Sequence, residues 1–315
     1  MPQPERAPWP FSLSVAPAPM LTETGLKNMT KYLKKQGLNG RSIEELNEYI
    51  ASAESQQAMR EMTPETEEEQ AENIVMEAWY SDPPKRYELA RQALEIDSQC
   101  SDAYLILAET VSSWRKQRRY FERALAASES KVAPFKEEMQ NEDAQDENGP
   151  PSLYERIETR PWFRARVSVA RNLLEGGWAE EAQAIFQDLL KWDPNDHLGV
   201  RYDLIPLFHD LGDYETLSRI LDQFADDTTA FLAYERLWLA LFRQQEDAIE
   251  YLNQAVEANP FMFDMMTGTM GDVHWTPYVR LSSPEEAVAY FSAASKWWLD
   301  NPEVITWVVM HWPKK

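Results

Sequence analysis

The sequence has few cysteines and histidines and no long apolar run, which are the features that metal-binding and membrane-spanning proteins need. It has one cysteine, Cys100, which cannot form an internal disulfide, and this favours a reducing compartment such as the cytoplasm. Four histidines are widely separated, and none has a Cys or His partner at metal-ligand spacing: His197, His209, His274 and His311. No apolar run approaches the roughly 18 residues of a membrane span. We therefore predict a cytoplasmic protein with no metal site and no membrane span.

Positive charge is also scarce. Lys and Arg total 31 against 53 Asp and Glu, which gives a net charge of −22. Sequence-independent binding to a phosphate backbone needs a surplus of basic residues, so direct nucleic-acid binding is not expected. The acidic balance is compatible with a basic protein partner, and it also keeps an apolar-rich repeat protein in solution.

The sequence lacks the short motifs of common enzyme sites. It has no glycine-rich phosphate loop, no Gly-x-Ser-x-Gly elbow and no Cys/His pair, and its carboxylates fall mostly in solvated runs. We interpret Cys100 as an incidental half-buried thiol at an inter-helix turn, and Asp226–Thr229 as a helix cap. The prediction is a non-enzymatic protein without a cofactor.

Helical patterns fill most of the chain. Residues 158–194 read as a helix, a turn at Gly176-Gly177, a second helix and a stop at Pro194. Small residues, Ala170 and Ala182, fall where two helices would approach closely. This arrangement is typical of a tetratricopeptide (TPR) unit.

The unit repeats along the chain. The equivalent second-helix positions Ala182, Leu217 and Ala248 are 35 and 31 residues apart, close to the TPR period of about 34. We therefore predict an all-α, TPR-like helical solenoid. Its predicted segments are a Pro-rich extended arm (1–20), a small helical module (21–58), TPR-like units (73–135), an acidic loop (136–155), further TPR-like units (156–260) and a C-terminal capping region (261–315).

Four segments resemble one known family. They are the run 90–109, Glu-Thr-Arg-Pro-Trp-Phe-Arg-Ala-Arg at 158–166, Ala-Val-Glu-Ala-Asn-Pro at 255–260 and Ala-Val-Ala-Tyr at 287–290. Together they are similar to the suppressor-of-tumorigenicity-7 type of TPR protein, and more closely to its soluble bacterial relatives. The resemblance implies an all-helical TPR fold and a scaffolding role, and it brings no catalytic residues. Animal members carry membrane spans that are missing here, and the acidic insert before Glu158 is longer than expected.

A basic stripe stands out in this acidic chain. Arg160, Arg164 and Arg171 lie at offsets of 0, 4 and 11 residues, which is one face of a helix. In a TPR unit this first helix lines the groove, and Tyr202 and His209 of the following unit would face the same space. We predict these five residues as a partner-binding site.

Two interpretations of the arginines stay open. Arginine forks bind carboxylates in pairs, so the stripe is either a clamp for an acidic peptide or chain terminus, or a set of internal partners for the protein's own acids. Two functions follow. One is a non-enzymatic TPR adaptor, or scaffold, that binds a protein or peptide segment in its groove. The other is an acidic regulator that masks a basic partner, such as a nucleic-acid-binding domain or toxin, with the acids at 64–72 and 137–147. The oligomeric state is left open.

Overall fold

The computed structural model describes residues 22–38, 49–140, 152–273 and 279–313, and every regular element within these ranges is helical. The predicted all-α fold is therefore confirmed. The predicted Pro-rich arm (1–20) lies outside the described residues, as do residues 39–48 of the predicted helical module and the central part of the acidic loop.

The chain divides into two compact units at Leu198 and Gly199. The predicted array 156–260 is thus shared between them. The first unit contains α1 (Thr22–Lys35), α2 (Ala53–Arg60), α3 (Glu67–Trp79), α4 (Lys85–Ile96), α5 (Ser101–Ala108), α6 (Trp114–Gln140), α7 (Arg160–Gly176) and α8 (Ala179–Trp192). Two 3₁₀ turns, Leu153–Glu155 and Ile157–Thr159, precede α7.

The second unit begins at Gly199. Its helices are α9 (Val200–Leu211), α10 (Tyr214–Gln223), α11 (Ala230–Phe242), α12 (Ala248–Ala258), α13 (Met262–Thr267), α14 (Pro284–Leu299) and α15 (Pro302–His311). Of these, α14 is the helix expected to cap the repeats, and it packs against α9, α11 and α15.

Consecutive helices pack as pairs in both units. In the first unit α3 packs on α4, α5 on α6, and α7 on α8, and in the second α11 packs on α12. The turn between α7 and α8 shows how the sequence produces a pair: Gly177 caps α7 with φ 88°, a left-handed conformation that favours glycine. Ala170 and Ala182 are fully buried, as expected for helices in close contact.

The start of α14 follows the sequence closely. Ser283 is the N-cap, its hydroxyl accepts the amide of Glu286 at 3.2 Å, and Pro284 occupies the first turn. The Glu286 carboxylate accepts the amides of Ala230 at 2.9 Å and Ser282 at 2.7 Å. It therefore also satisfies the first turn of α11, which ties the capping helix to the repeat before it.

The predicted boundary at residue 136 differs from the observed one. Helix α6 continues to Gln140 and so includes the first residues of the segment 136–155 that we expected to be an acidic loop. The end of that segment, from Leu153, forms a 3₁₀ turn with Leu153 and Tyr154 buried.

Candidate functional site

The first predicted arginine to consider is Arg164, in the middle of α7. Its side chain is only 3% exposed. The guanidinium makes a two-pronged contact with Asp102 on α5, from Nε to Oδ1 at 2.9 Å and from Nη2 to Oδ2 at 2.6 Å. Burial alone would lower the pKa of Arg164, but the neighbouring carboxylates of Asp102 and Glu23 outweigh it and raise that pKa. The residue is held as a buried cation.

A second carboxylate reaches the same guanidinium from α1. Arg164 Nη1 donates to both carboxylate oxygens of Glu23 at 3.1 Å, and the Glu23 side chain is 4% exposed. Arg160 Nη1 lies 3.6 Å from Glu23 Oε1, at ion-pair distance. Two arginines of one helix face therefore converge on one carboxylate that belongs to a distant part of the chain.

Arg160 is less completely satisfied than Arg164. Its Nε donates to the carbonyl of Tyr154 at 3.1 Å, and its guanidinium lies 4.9 Å from the centre of the Tyr154 ring. Its Nη1 is buried and has no hydrogen-bond partner among the described residues. A donor in this state costs free energy, and it points to a carboxylate site that Glu23 only partly fills.

A cavity of about 700 Å³ opens beside this carboxylate site. Arg164 and Pro161 line one part of it, α1 lines one side, and residues 62–76 line the facing side. We call the facing surface the charged groove and define it by Glu65, Glu68, Glu69, Glu72 and Arg164.

Helix α1 lies on the charged groove through a row of ion pairs. Its three lysines, four residues apart, meet acids in reverse chain order, so α1 and α3 run antiparallel. The pairs are Lys27–Glu72 (2.7 Å), Lys31–Glu69 (2.6 Å) and Lys35–Glu65.

The ion pairs shift the pKa values of Lys31, Glu65 and Glu69. The hydrogen bond to Glu69 raises the pKa of Lys31, and the hydrogen bond from Lys35 lowers the pKa of Glu65. The pKa of Glu69 is lowered by the Glu65 amide and then by Lys31. On the far side of the groove, Glu68 pairs with Lys131 of α6. Each of the four groove acids therefore has a lysine partner.

The remaining predicted residues have other surroundings. Arg171 is half-buried near the end of α7. Tyr202 and His209 lie in the second unit, where the Tyr202 hydroxyl donates to Asp227 at 2.7 Å. The His209 side chain is 3% exposed, and its Nε2 lies 2.7 Å from a carboxylate oxygen of Glu235. Only Arg160 and Arg164 of the predicted set are brought together on one carboxylate.

The second unit also buries a polar centre on Glu235, whose side chain is fully buried. Besides His209, its carboxylate accepts the Tyr290 hydroxyl at 2.7 Å and the Trp297 indole N–H at 3.0 Å. The His209 ring stacks on Trp297 with 4.2 Å between ring centres. These bonds join α9, α11 and α14 in one interior network.

Other reactive side chains do not form a familiar catalytic set. Ser152 donates to Asp193 at 2.7 Å, and His197 Nδ1 contacts the same Asp193 oxygen at 2.7 Å. In a catalytic triad the serine hydroxyl is hydrogen-bonded to the histidine that takes its proton, whereas here the Ser152 hydroxyl donates its hydrogen bond to Asp193. The buried Cys100 has its pKa raised to about 12 by burial and by Asp102, so its thiol stays protonated.

The described ranges contain neither a metal-binding cluster nor a membrane-spanning helix. Within them, no group of three or more His, Cys, Asp or Glu side chains is placed to hold a metal ion. No helix in the same ranges is both long enough and apolar enough to cross a bilayer.

Sequence reasoning missed Glu23 and Asp102 as the partners of Arg164. Asp102 lies 62 residues and Glu23 141 residues from Arg164 along the chain. The signal that would have found the docked helix is the spacing of Lys27, Lys31 and Lys35 against the acids of 65–72.

The chain is similar to known proteins over most of its length. A model of the ST7 protein family matches residues 28–235. A protein described as Suppressor of tumorigenicity 7 protein-like from Bos taurus is 24% identical over 243 residues, which cover 70% of this chain and 43% of the relative. The proteins of that description from Homo sapiens (24% identical, 41% of the relative covered) and Rattus norvegicus (25% and 42%) also cover 70% of this chain. The chain thus spans less than half the length of these relatives.

Proposed function

The chain belongs to the ST7 protein family, and from this membership and the docking of α1 we propose that it is a non-enzymatic, TPR-like adaptor that binds a protein segment in the charged groove. One observation carries the proposal. The groove already holds a helical segment, α1, through a buried carboxylate contact at Arg164 and a row of ion pairs.

The chemistry of the groove defines the class of segment. Arg164 and Arg160 supply guanidinium donors for one carboxylate, which matches the expected preference for an acidic group in the partner. Glu65, Glu69 and Glu72 supply acceptors for cations one turn apart. A protein segment with one acid followed by basic residues would meet both requirements.

The second candidate is an acidic regulator that masks a basic partner, and the ion pairs of the charged groove also favour it. The acids at 65–72 of the predicted masking segment pair with lysines of α1. Residues 141–147 of the other predicted acidic segment lie outside the described residues. The two candidates differ at Arg164, because masking of a basic surface does not use a buried arginine.

The test is a capture of the full chain from its own cells at moderate salt, followed by mass spectrometry. The groove variant is Glu65→Lys with Glu69→Lys. Its matched control is Glu67→Lys with Glu88→Lys, which changes the net charge equally at exposed residues that do not line the cavity. We expect the same specifically enriched protein with wild type and control, and its loss with the groove variant. Recovery of no protein other than chaperones, or equal recovery with the groove variant, would contradict the adaptor.

Masking predicts a different pattern from groove binding. Long-range attraction between exposed charges is screened within about 8–10 Å at physiological ionic strength. A masking partner should therefore be lost steeply with added salt and should respond equally to the groove variant and to its charge-matched control.

A further inference from the structure

Helix α1 is attached to the first unit mainly by charge. Among its residues from Glu23 onward only Glu23 and Tyr32 are buried, while Leu26, Met29 and Leu33 are half-buried. The lysine pairs of α1, whose side chains are 21–50% exposed, contribute little each, about 0–1 kcal/mol, so the buried Glu23–Arg164 contact is the strongest charged contact of the helix. A segment with few buried apolar contacts opens at low free-energy cost, so α1 is suited to leave its site.

The site beneath α1 is not completely filled by it. Arg160 Nη1 has no hydrogen-bond partner in the part of the chain that the structure describes and lies 3.6 Å from Glu23, although the Arg160 side chain is nine-tenths buried. The cavity of about 700 Å³ lies along the same surface. A carboxylate placed between Arg160 and Arg164 would accept a hydrogen bond from Arg160 Nη1, which Glu23 does not. A competing segment that supplies such a carboxylate would therefore have an advantage over α1.

From these observations we propose that α1 is an intramolecular occupant of the charged groove, and that the partner is a helix of the same charge order which displaces it. That order is an acid followed by lysines at intervals of four, Glu-x₃-Lys-x₃-Lys-x₃-Lys, as at 23, 27, 31 and 35. This inference rests on the proposed function and specifies its partner and its regulation.

The partner's features follow from the groove. Its acid, in the first helical turn, reaches Arg160 and Arg164, and its three cations fall one turn apart opposite Glu72, Glu69 and Glu65. Because side chains four apart share one helix face, the pattern requires a helix of at least three turns. A peptide that carries only acids lacks the cations, and a purely basic one leaves the arginines unpaired.

Cis occupancy makes the apparent affinity depend on α1. A tethered segment acts at an effective concentration in the millimolar range, so wild type should bind a free competitor weakly. Weakening α1 removes this competition without changing the groove.

The experiment titrates a fluorescein-labelled synthetic peptide of residues 22–35 into the full chain and follows anisotropy. The released variant carries Glu23→Gln, Lys27→Gln and Lys31→Gln. We expect it to bind the peptide at least tenfold more tightly than wild type does. The Lys27→Gln, Lys31→Gln pair, at half-buried positions that leave the core unchanged, should give an intermediate affinity and serves if the triple variant folds poorly.

Specificity is tested on both sides of the contact. A peptide with its lysines at 27, 31 and 35 replaced by Glu should not bind. Adding Glu65→Lys and Glu69→Lys to the released variant should abolish binding, whereas adding Glu67→Lys and Glu88→Lys should not. Equal affinity of wild type and released variant, or equal binding of the reversed peptide, would overturn the inference.

A second copy of the chain is the other possible source of the helix. Light scattering of wild type should give the mass of a monomer, as expected if α1 occupies the groove of its own chain; a dimer that disappears in the released variant would overturn the intramolecular assignment. Failure of this proposal is distinguishable from failure of the adaptor function. If a captured partner depends on the groove acids but the peptide does not bind, the adaptor function stands and the displacement of α1 is wrong. If the peptide binds but no partner is captured, the groove binds a helix of this charge order and the adaptor function is wrong.

Discussion

Replacing Glu23 by Gln tests how α1 is held. The substitution keeps the shape of the side chain but removes the charge that meets Arg164 and Arg160. Removing one member of a buried ion pair costs about 3–5 kcal/mol when the other member is left alone. Arg164 keeps Asp102 at 2.6 Å, so the loss should be smaller, close to that of a hydrogen bond to a charged group, about 1.5–3 kcal/mol.

The lost free energy weakens the docking of α1, and its effect on the protein is limited to the release of that helix. It corresponds to roughly a 10- to 100-fold shift toward the undocked helix. The effect on the rest of the unit stops growing once α1 has left, because α3 to α8 keep their own pairwise packing. Amide hydrogen exchange of residues 22–35 should therefore accelerate roughly 10- to 100-fold, while α3 remains protected.

The control is Lys35→Gln. Lys35 and Glu65 are 49% and 50% exposed, and exposed pairs are worth about 0–1 kcal/mol, so exchange of α1 should rise less than about fivefold. Unchanged exchange in Glu23→Gln would mean that Glu23 does not hold α1. An equal acceleration in α1 and α3 would mean that Glu23 stabilises the whole unit. Either result would contradict the docking of α1 through Glu23.

Three further predictions follow from the same structure. The lowered pKa values of Glu65 and Glu69 contribute stability above the unfolded value of about 4.3 that is lost as pH falls through their folded pKa values. Exchange of α1, corrected for intrinsic rates, should therefore rise below about pH 4, and no change down to pH 3 would contradict this. Glu235→Gln should destabilise the protein by about 2–4 kcal/mol in urea unfolding, and Tyr290→Phe by about 1 kcal/mol; equal effects would contradict the central place of Glu235. Cys100, with its pKa raised to about 12, should resist iodoacetamide at pH 8 until the chain is unfolded, as mass spectrometry would report.

Local signals in the sequence predicted much of the helical framework. The Gly176-Gly177 turn and the Ser283 cap are set by residues within a few positions, through left-handed backbone and side-chain capping. Glu286 makes a contact that local signals do not predict. Its place three residues after Ser283 is typical of a helix start, but its bond to the amide of Ala230 depends on a helix 56 residues away.

The candidate site was harder to predict for the same reason. Helical spacing placed Arg160 and Arg164 on one face of α7, but spacing does not reveal what meets that face. The acids of 65–72 fall between the predicted helical module (21–58) and the predicted TPR-like units (73–135), whereas in the structure Glu67 begins α3 and Glu65, Glu69 and Glu72 pair with α1. Charged runs look alike in sequence whether they face water or another helix of opposite charge.

Site-specific photo-cross-linking from Met76, which lines the cavity, is the most direct test of segment binding in the charged groove. We expect cross-links to α1 in wild type, and to a partner segment in the released variant mixed with cell extract. A matched probe at the exposed Glu88 should give neither product. Partner cross-links from Glu88 but not from Met76, or no link from Met76 to α1, would contradict the account.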